Sequence, residues 1–272
     1  MSDWQAWPVP VAAEFDPPRD APVLMLGNSL GTSTAVWDRQ VPDLRRSFRL
    51  LRFELPGHGG APAWPGPYTI ADLGAGVLAL LDSLGVARAG FAGMSLGGMI
   101  GMWLAAAAPD RIAALGLVCT SPYLPPADLW LDRAATVRAS GMGSVSAQVV
   151  SRWFTPGYAA QEPVVVGSVR SMLDEADPEG YAGCCEAIAA MDLRAGLSDV
   201  GAPTLVLAGA ADPATPPGHG ADIAARIAGA RLQVLPDAAH LAAVSSAAAV
   251  TAALLAHFED AAAADQNWRS ER

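Results

Sequence analysis

Short apolar runs alternate with stretches of helical periodicity along the first 120 residues. Val23–Leu26, Phe48–Phe53, Ala89–Ala92 and Leu115–Cys119 are largely apolar, with Arg49 and Arg52 the exceptions, and bounded by turn-forming or charged residues, as buried strands are. Ile70–Leu84 repeats apolar positions at helical spacing. Leu96–Ala108 is apolar all round and stopped by Pro109-Asp110, the pattern of a buried helix. Strand and helix in alternation predict βαβ units on a parallel sheet, hence an α/β fold. From Ser121 the texture changes, with Pro122, Pro125 and Pro126 followed by helical segments that carry Trp130, Met142 and Trp153 and end near Gly196. The strand pattern resumes at Pro203–Ala208 and Arg231–Leu235, with a helix near His219–Ala228 and a closing helix from Leu241 to Glu259. These signals predict one core domain of residues 1–120 and 197–272, a mostly parallel sheet flanked by helices, with residues 121–196 inserted as a helical cap. Residues after Asp260 are, apart from Trp268, polar or alanine and are expected to fray.

Composition supports a sizeable core: 52% of the 272 residues are hydrophobic and 16% charged. The formal net charge is −10 and the isoelectric point near 4.7. No basic patch exists to release counterions, so neither nucleic acid nor an anionic membrane is expected as a partner. All 17 basic residues are arginine. Without lysine, a Schiff base and a Walker-type phosphate loop are excluded. Cys119 and the adjacent Cys184-Cys185 fit neither a CxxC metal spacing nor an even disulfide framework, so a reducing cytoplasm is expected. Met1–Asp20 is acidic and proline-containing, which predicts no signal peptide, and no uninterrupted apolar run predicts a membrane span.

The candidate chemistry begins at Gly93-Met94-Ser95-Leu96-Gly97, a serine between two glycines after a predicted strand and before a predicted helix. That is the form of a nucleophile elbow, the G-x-S-x-G of α/β-hydrolases. The sharp turn strains the serine and leaves no room for side chains two residues either side. A serine hydroxyl is a poor nucleophile near neutral pH and needs a base with an orienting acid. His240, just after the Arg231–Leu235 strand, is the expected base. Asp212, in the loop leaving the Pro203–Ala208 strand, is the expected acid, although before Pro213 it could also open a turn or cap a helix. The order Ser95, Asp212, His240 is that of the α/β-hydrolases. Asp237 is the rival acid, read as serving the turn before His240, and His58, His219 and His257 are read as structural. An oxyanion hole would pair the Leu96 N–H with one from Gly27-Asn28-Ser29-Leu30-Gly31-Thr32. Many hydrolases carry His-Gly-x there with a tryptophan eight residues after the glycine. Trp37 lies eight after Ser29, which makes the Leu30 N–H the second donor and leaves the Ser29 hydroxyl to meet substrate.

With these residues in place the chain resembles the 3-oxoadipate enol-lactonases, α/β-hydrolases of the β-ketoadipate pathway, over nearly its whole length. The matching stretches are Leu26-Gly27-Asn28-Ser29-Leu30-Gly31-Thr32, Trp37-Asp38-Arg39-Gln40, Gly66-Pro67-Tyr68-Thr69-Ile70-Ala71-Asp72-Leu73, Gly93-Met94-Ser95-Leu96-Gly97-Gly98-Met99 and, in the cap, Tyr181-Ala182-Gly183-Cys184-Cys185-Glu186-Ala187-Ile188. The chain departs from the pattern at Glu54, where relatives carry Asp, at Gly60, where they carry serine, and at Ser245, where related hydrolases often have glutamate. The resemblance implies that Ser95 attacks a lactone carbonyl, without metal or organic cofactor, and that the substrate is a small anionic lactone. An arginine must then receive its carboxylate, and the cap offers Trp130, Arg133 and Arg138, of which Trp130 and Arg133 share a helix face. The alternatives are a general carboxylesterase or related hydrolase on another small ester, a non-catalytic ligand-binding protein on the same fold, and a mechanism in which His240 activates water directly.

Overall fold

The computed structural model describes residues 11–14 and 21–269; apart from 11–14, the segment in which no signal peptide is expected lies outside them. Strands β1 (Val11–Glu14), β2 (Val23–Gly27), β3 (Arg49–Phe53), β4 (Ala89–Met94), β5 (Ile112–Val118), β6 (Thr204–Gly209) and β7 (Arg231–Leu235) form one sheet in the order β1-β3-β2-β4-β5-β6-β7. Only β1 runs antiparallel, against β3. Strands β2, β4 and β5 are buried along their whole length, which is why they read as unbroken apolar runs. Because β2 pairs with β3 on one side and β4 on the other, the chain reverses direction across the sheet there, and a crevice opens beyond the carboxyl ends of the strands.

Helices flank the sheet. The short α1 (Val41–Leu44) precedes β3, and α2 (Ile70–Ser83) starts at a capping box in which Thr69 and Asp72 exchange hydrogen bonds. Its Gly74 lies against the Trp103 ring of α3 (Leu96–Ala107), too close for any added methyl group. Between β5 and β6 the chain forms α4 (Ala127–Ser140), α5 (Ser146–Val150), α6 (Pro156–Gln161), α7 (Pro163–Asp174) and α8 (Pro178–Ala190), with α4 packed along α8. Helix α9 (Pro217–Arg226) joins β6 to β7.

The carboxyl-terminal region differs from its expected form. The single closing helix is two, α10 (Ala242–Ser245) and α11 (Ala247–Ala264), broken at Ser246. The tail does not fray after Asp260: α11 continues and is followed by α12 (Gln266–Arg269). Its Trp268 is buried, stacks on Phe48 at 5.9 Å and donates its indole N–H to the Val23 carbonyl at 3.0 Å. One tryptophan therefore fixes a segment whose other residues carry no apolar signal. By length and composition α11 is the one helix among the described residues that could cross a membrane; its Leu254 and Phe258 lie against Gly116 of β5, as those of a core helix do.

Candidate active site

Ser95 stands between β4 and α3 with φ +52° and ψ −114°, a conformation that costs on the order of 1–3 kcal/mol for a non-glycine residue. The surroundings enforce it. A methyl group on Gly93 would lie 2.3 Å from the Gly97 carbonyl, and one on Gly97 2.4 Å from the Gly27 oxygen, so α3 reaches the sheet only because both are glycine. The Ser95 N–H donates to the Val118 carbonyl at 3.0 Å, and its own carbonyl accepts from the Thr120 hydroxyl at 2.6 Å.

The loops after β6 and β7 bring Asp212 and His240 to the same edge. His240 Nε2 is 2.9 Å from Ser95 Oγ, and Nδ1 is 2.9 Å from Asp212 Oδ2; all three residues are buried. The carboxylate can only accept, so Nδ1 carries the proton and Nε2 faces the serine as an acceptor. Asp212 also does what its alternative reading foresaw. Its Oδ1 accepts from the N–H groups of Ala214 and Thr215 at 2.8 and 3.0 Å, while Oδ2 accepts from the Thr215 hydroxyl at 2.6 Å. Burial alone would push the carboxyl up. The charge and hydrogen bond of His240, with the bonds from Thr215, outweigh it and hold the pKa at about 2. Thr215 was not foreseen as part of the site; the Asp-x-x-Thr spacing is its signal. Asp237 is exposed, and Ser245 bonds back to the Leu241 carbonyl at 3.3 Å.

The N–H groups of Leu30 and Leu96 have no protein acceptor among the described residues, whereas their neighbours are committed. Gly97 donates to the Asn28 carbonyl at 2.9 Å and Gly31 to His58 Nε2 at 2.9 Å. The loop that carries Leu30 is anchored from below. Asn28 Nδ2 donates to the Phe53 carbonyl at 2.9 Å and to Glu54 at 3.2 Å, and Glu54 accepts from both the N–H and the hydroxyl of Thr34 at 2.9 Å. Desolvation raises the Glu54 pKa despite those bonds.

A cavity of about 230 Å³ joins these parts. Ser29, Leu30, Ser95 and His240 line it from the sheet side, and Trp130, Arg133, Arg152, Trp153 and Tyr181 from the segment between β5 and β6. The Arg133 guanidinium lies 4.7 Å from the centre of the Trp130 ring, as their shared helix face requires. Arg138 is elsewhere, paired with Glu179 at 2.7 Å and with Glu186. Neither Arg133 nor Arg152 forms an ion pair among the described residues, and no carboxylate lines the cavity. Arg152 is not evident from the sequence because it shares no helix with Arg133, and only the fold brings the two to one cavity. The described residues hold no cluster of His, Cys, Asp and Glu suited to a metal ion.

Comparison with known proteins shows the family. Residues 22–161 match the family described as alpha/beta hydrolase fold, and residues 185–268 the one described as TAP-like protein. The chain is 37% identical to 3-oxoadipate enol-lactonase 2 of Acinetobacter baylyi over 82% of its own length and 83% of the relative's. It superposes on the crystal structure of the enol-lactonase from Burkholderia xenovorans LB400 with a TM-score of 0.89 and 40% identity, covering 92% of this chain and 97% of that one. A hydrolase from Pseudomonas aeruginosa PA01 gives a TM-score of 0.88 at 45% identity, covering 92% and 94%. The chain belongs to the α/β-hydrolase superfamily, in the family of the 3-oxoadipate enol-lactonases, and is an ester or lactone hydrolase.

Proposed function

We propose that the protein opens 3-oxoadipate enol-lactone to 3-oxoadipate through an acyl-enzyme on Ser95, as a step of the β-ketoadipate pathway. The observation that carries this reading is that one small cavity holds both the Ser95–His240 pair and an arginine with no carboxylate partner. Its volume lies below the roughly 300–1,000 Å³ of sites for drug-sized ligands, which suits a compact substrate. The three cysteines are buried free thiols, which supports a cytoplasmic location.

In the proposed reaction His240 Nε2 takes the Ser95 hydroxyl proton as Oγ attacks the lactone carbonyl. The Leu30 and Leu96 N–H groups receive the oxyanion, at the amino terminus of α3 where the helix field favours negative charge. Asp212 stabilises the imidazolium. The tetrahedral intermediate collapses by breaking the ring C–O bond, and His240 returns its proton to the departing enol oxygen. The enol tautomerises to the ketone. Water, deprotonated by His240, then attacks the ester on Ser95, and a second collapse releases the new carboxylate and restores the serine hydroxyl. Residues 121–196 act as a cap over the core formed by 1–120 and 197–272. From that cap Trp130 walls the cavity and Arg133 binds the substrate carboxylate, with the Ser29 hydroxyl as a further contact from the core.

The test follows loss of the enol-lactone's ultraviolet absorbance with wild type and Ser95→Ala. Rapid turnover by wild type and a loss of at least about 10⁴-fold in kcat for the variant are expected. Comparable rates in the two would overturn the nucleophile assignment, and absence of wild-type turnover would overturn the substrate.

A further inference from the structure

We propose that His58 is a positioning residue for the reaction: it fixes the turn that carries the Leu30 N–H and ties that turn to the seated helix α8. This rests on reading Leu30 and Leu96 as the oxyanion donors.

The turn is Ser29-Leu30-Gly31-Thr32, closed by the Thr32 N–H on the Ser29 carbonyl at 3.1 Å and by the Thr32 hydroxyl on the same oxygen at 2.9 Å. Gly31, its third residue, has φ +79°, the value of a type II turn and one that disfavours any side chain. Type I and type II turns share the same closing bond and differ by a flip of the central peptide. The closing bond therefore cannot choose between them. The Gly31 N–H belongs to that central peptide, and His58 Nε2 accepts it at 2.9 Å. His58 thus holds the one group whose direction distinguishes the two turns.

The imidazole is set up for this role. Nδ1 is 2.8 Å from the Pro56 carbonyl, which can only accept, so Nδ1 carries the proton and Nε2 is left as an acceptor. The ring is buried, and desolvation lowers its pKa to about 4 against the weaker pull of Asp177, so it remains neutral where the enzyme works. A protonated ring would turn an N–H toward the Gly31 N–H.

The same loop is the seat of the cap. The His58 ring stacks on Tyr181 of α8 at 6.3 Å, and the Asp177 N–H donates to the Gly57 carbonyl at 2.7 Å. A methyl group on Gly180 would meet the Pro56 carbonyl at 2.4 Å, and one on Gly31 would meet Leu173 at 2.4 Å and Tyr181 at 3.3 Å. The start of α8, the His58 loop and the Leu30 turn are thus in mutual contact, with His58 in the middle. Tyr181 also lines the cavity.

The experiment compares wild type, His58→Leu, His58→Gln and Ser95→Ala for kcat and KM on the lactone, for binding of a phenylboronic acid, which forms a tetrahedral adduct with an active-site serine, and for thermal unfolding. Removing one oxyanion donor costs about 10²–10³ in kcat, so a displaced donor in His58→Leu should lower kcat by roughly 30- to 100-fold. KM should change less than about threefold, and boronate affinity should fall with kcat. Glutamine places an amide oxygen near the position of Nε2 and should recover most of kcat. A folded His58→Leu with wild-type kcat and boronate affinity, beside an inactive Ser95→Ala, overturns the proposal and leaves the serine mechanism intact. An active Ser95→Ala overturns that mechanism itself, and this proposal with it. Where His58→Leu does not fold, His58→Gln is compared with His58→Asn, whose shorter amide cannot reach Gly31; equal kcat in the two overturns the proposal.

Discussion

Arg133 and Arg152 reach the same cavity from different environments, and that difference sets what each contributes. Arg133 is partly buried and stacked on Trp130, where a charge-assisted bond to a carboxylate contributes about 1.5–3 kcal/mol. Arg133→Ala should therefore raise KM for the anionic lactone roughly tenfold to a hundredfold, while a neutral ester of similar size changes less than about threefold. Arg152 is exposed, so solvent and salt leave it no more than about a fivefold effect in Arg152→Ala. Equal effects of Arg133→Ala on both substrates would refute the carboxylate assignment. Ser95, His240 and Asp212, the proposed nucleophile, base and acid, could be grouped from the sequence because each follows a predicted strand in a fixed order. Arg152 and His58 were not, because their roles depend on contacts between segments far apart in the chain. His58 has a second consequence. The folded state lowers its pKa from 6.5 to about 4, so between those values the unfolded chain binds the proton and the folded one does not. Stability is then highest above pH 6.5 and falls by about 3 kcal/mol through this group as pH drops to 4. Urea titrations of wild type and His58→Gln across that range should converge toward low pH, since the variant lacks this loss. Parallel curves would refute it.

Among the elements, the turn from β4 into α3 leaves the least room. A methyl group on Gly97 would penetrate the backbone of the Gly27–Asn28 loop, and relief would move α3 away from β2. Gly97→Ala should cost about 3 kcal/mol, read from urea unfolding, and should displace the Leu96 N–H enough to abolish most turnover. Strands β2, β4 and β5 were legible because burial on both faces leaves unbroken apolar runs, and so was α2, whose Thr69–Asp72 capping box precedes a periodic segment; β7, exposed at four of its five positions, was legible only from its place after α9. The carboxyl terminus was not legible, for a specific reason. Ala261–Ala264 and Gln266–Asn267 give little periodic signal, and α12 docks through Trp268, which fills the space beside Phe48, Phe258 and Gly90, next to the Arg88–Asp265 ion pair at 3.1 Å. The Asp265 carboxylate starts the last turn by accepting from the N–H groups of Asn267 and Trp268 at 3.0 and 3.3 Å. Trp268→Ala should destabilise the protein by about 3–5 kcal/mol while leaving KM unchanged, because the tryptophan packs on the sheet away from the cavity. A variant as stable as wild type would return the tail to the frayed state its composition suggests.

For the whole molecule, an acidic chain of net charge −10 and the proposed anionic substrate set two electrostatic effects against each other. The acidic residues are spread over the surface and act on an approaching anion across many ångströms. Arg133 acts at hydrogen-bond distance, inside a cavity that no carboxylate lines. Salt separates the two by range, because the Debye length shrinks from about 30 Å at 0.01 M to about 10 Å at 0.1 M. Screening over that interval weakens the distant repulsion first and leaves the close, partly desolvated contact largely intact. Raising ionic strength from about 0.01 to about 0.15 M should therefore increase kcat/KM for the anionic lactone, by roughly two- to fivefold, with a neutral ester as the unresponsive control. Stopped-flow or initial-rate measurements at substrate concentrations below KM read this ratio directly. A decrease would mean that an arginine reaches beyond the cavity and steers the approach. Arg152, the exposed one, would then be the source, and Arg152→Ala should remove the salt dependence while Arg133→Ala, acting after entry, should keep it.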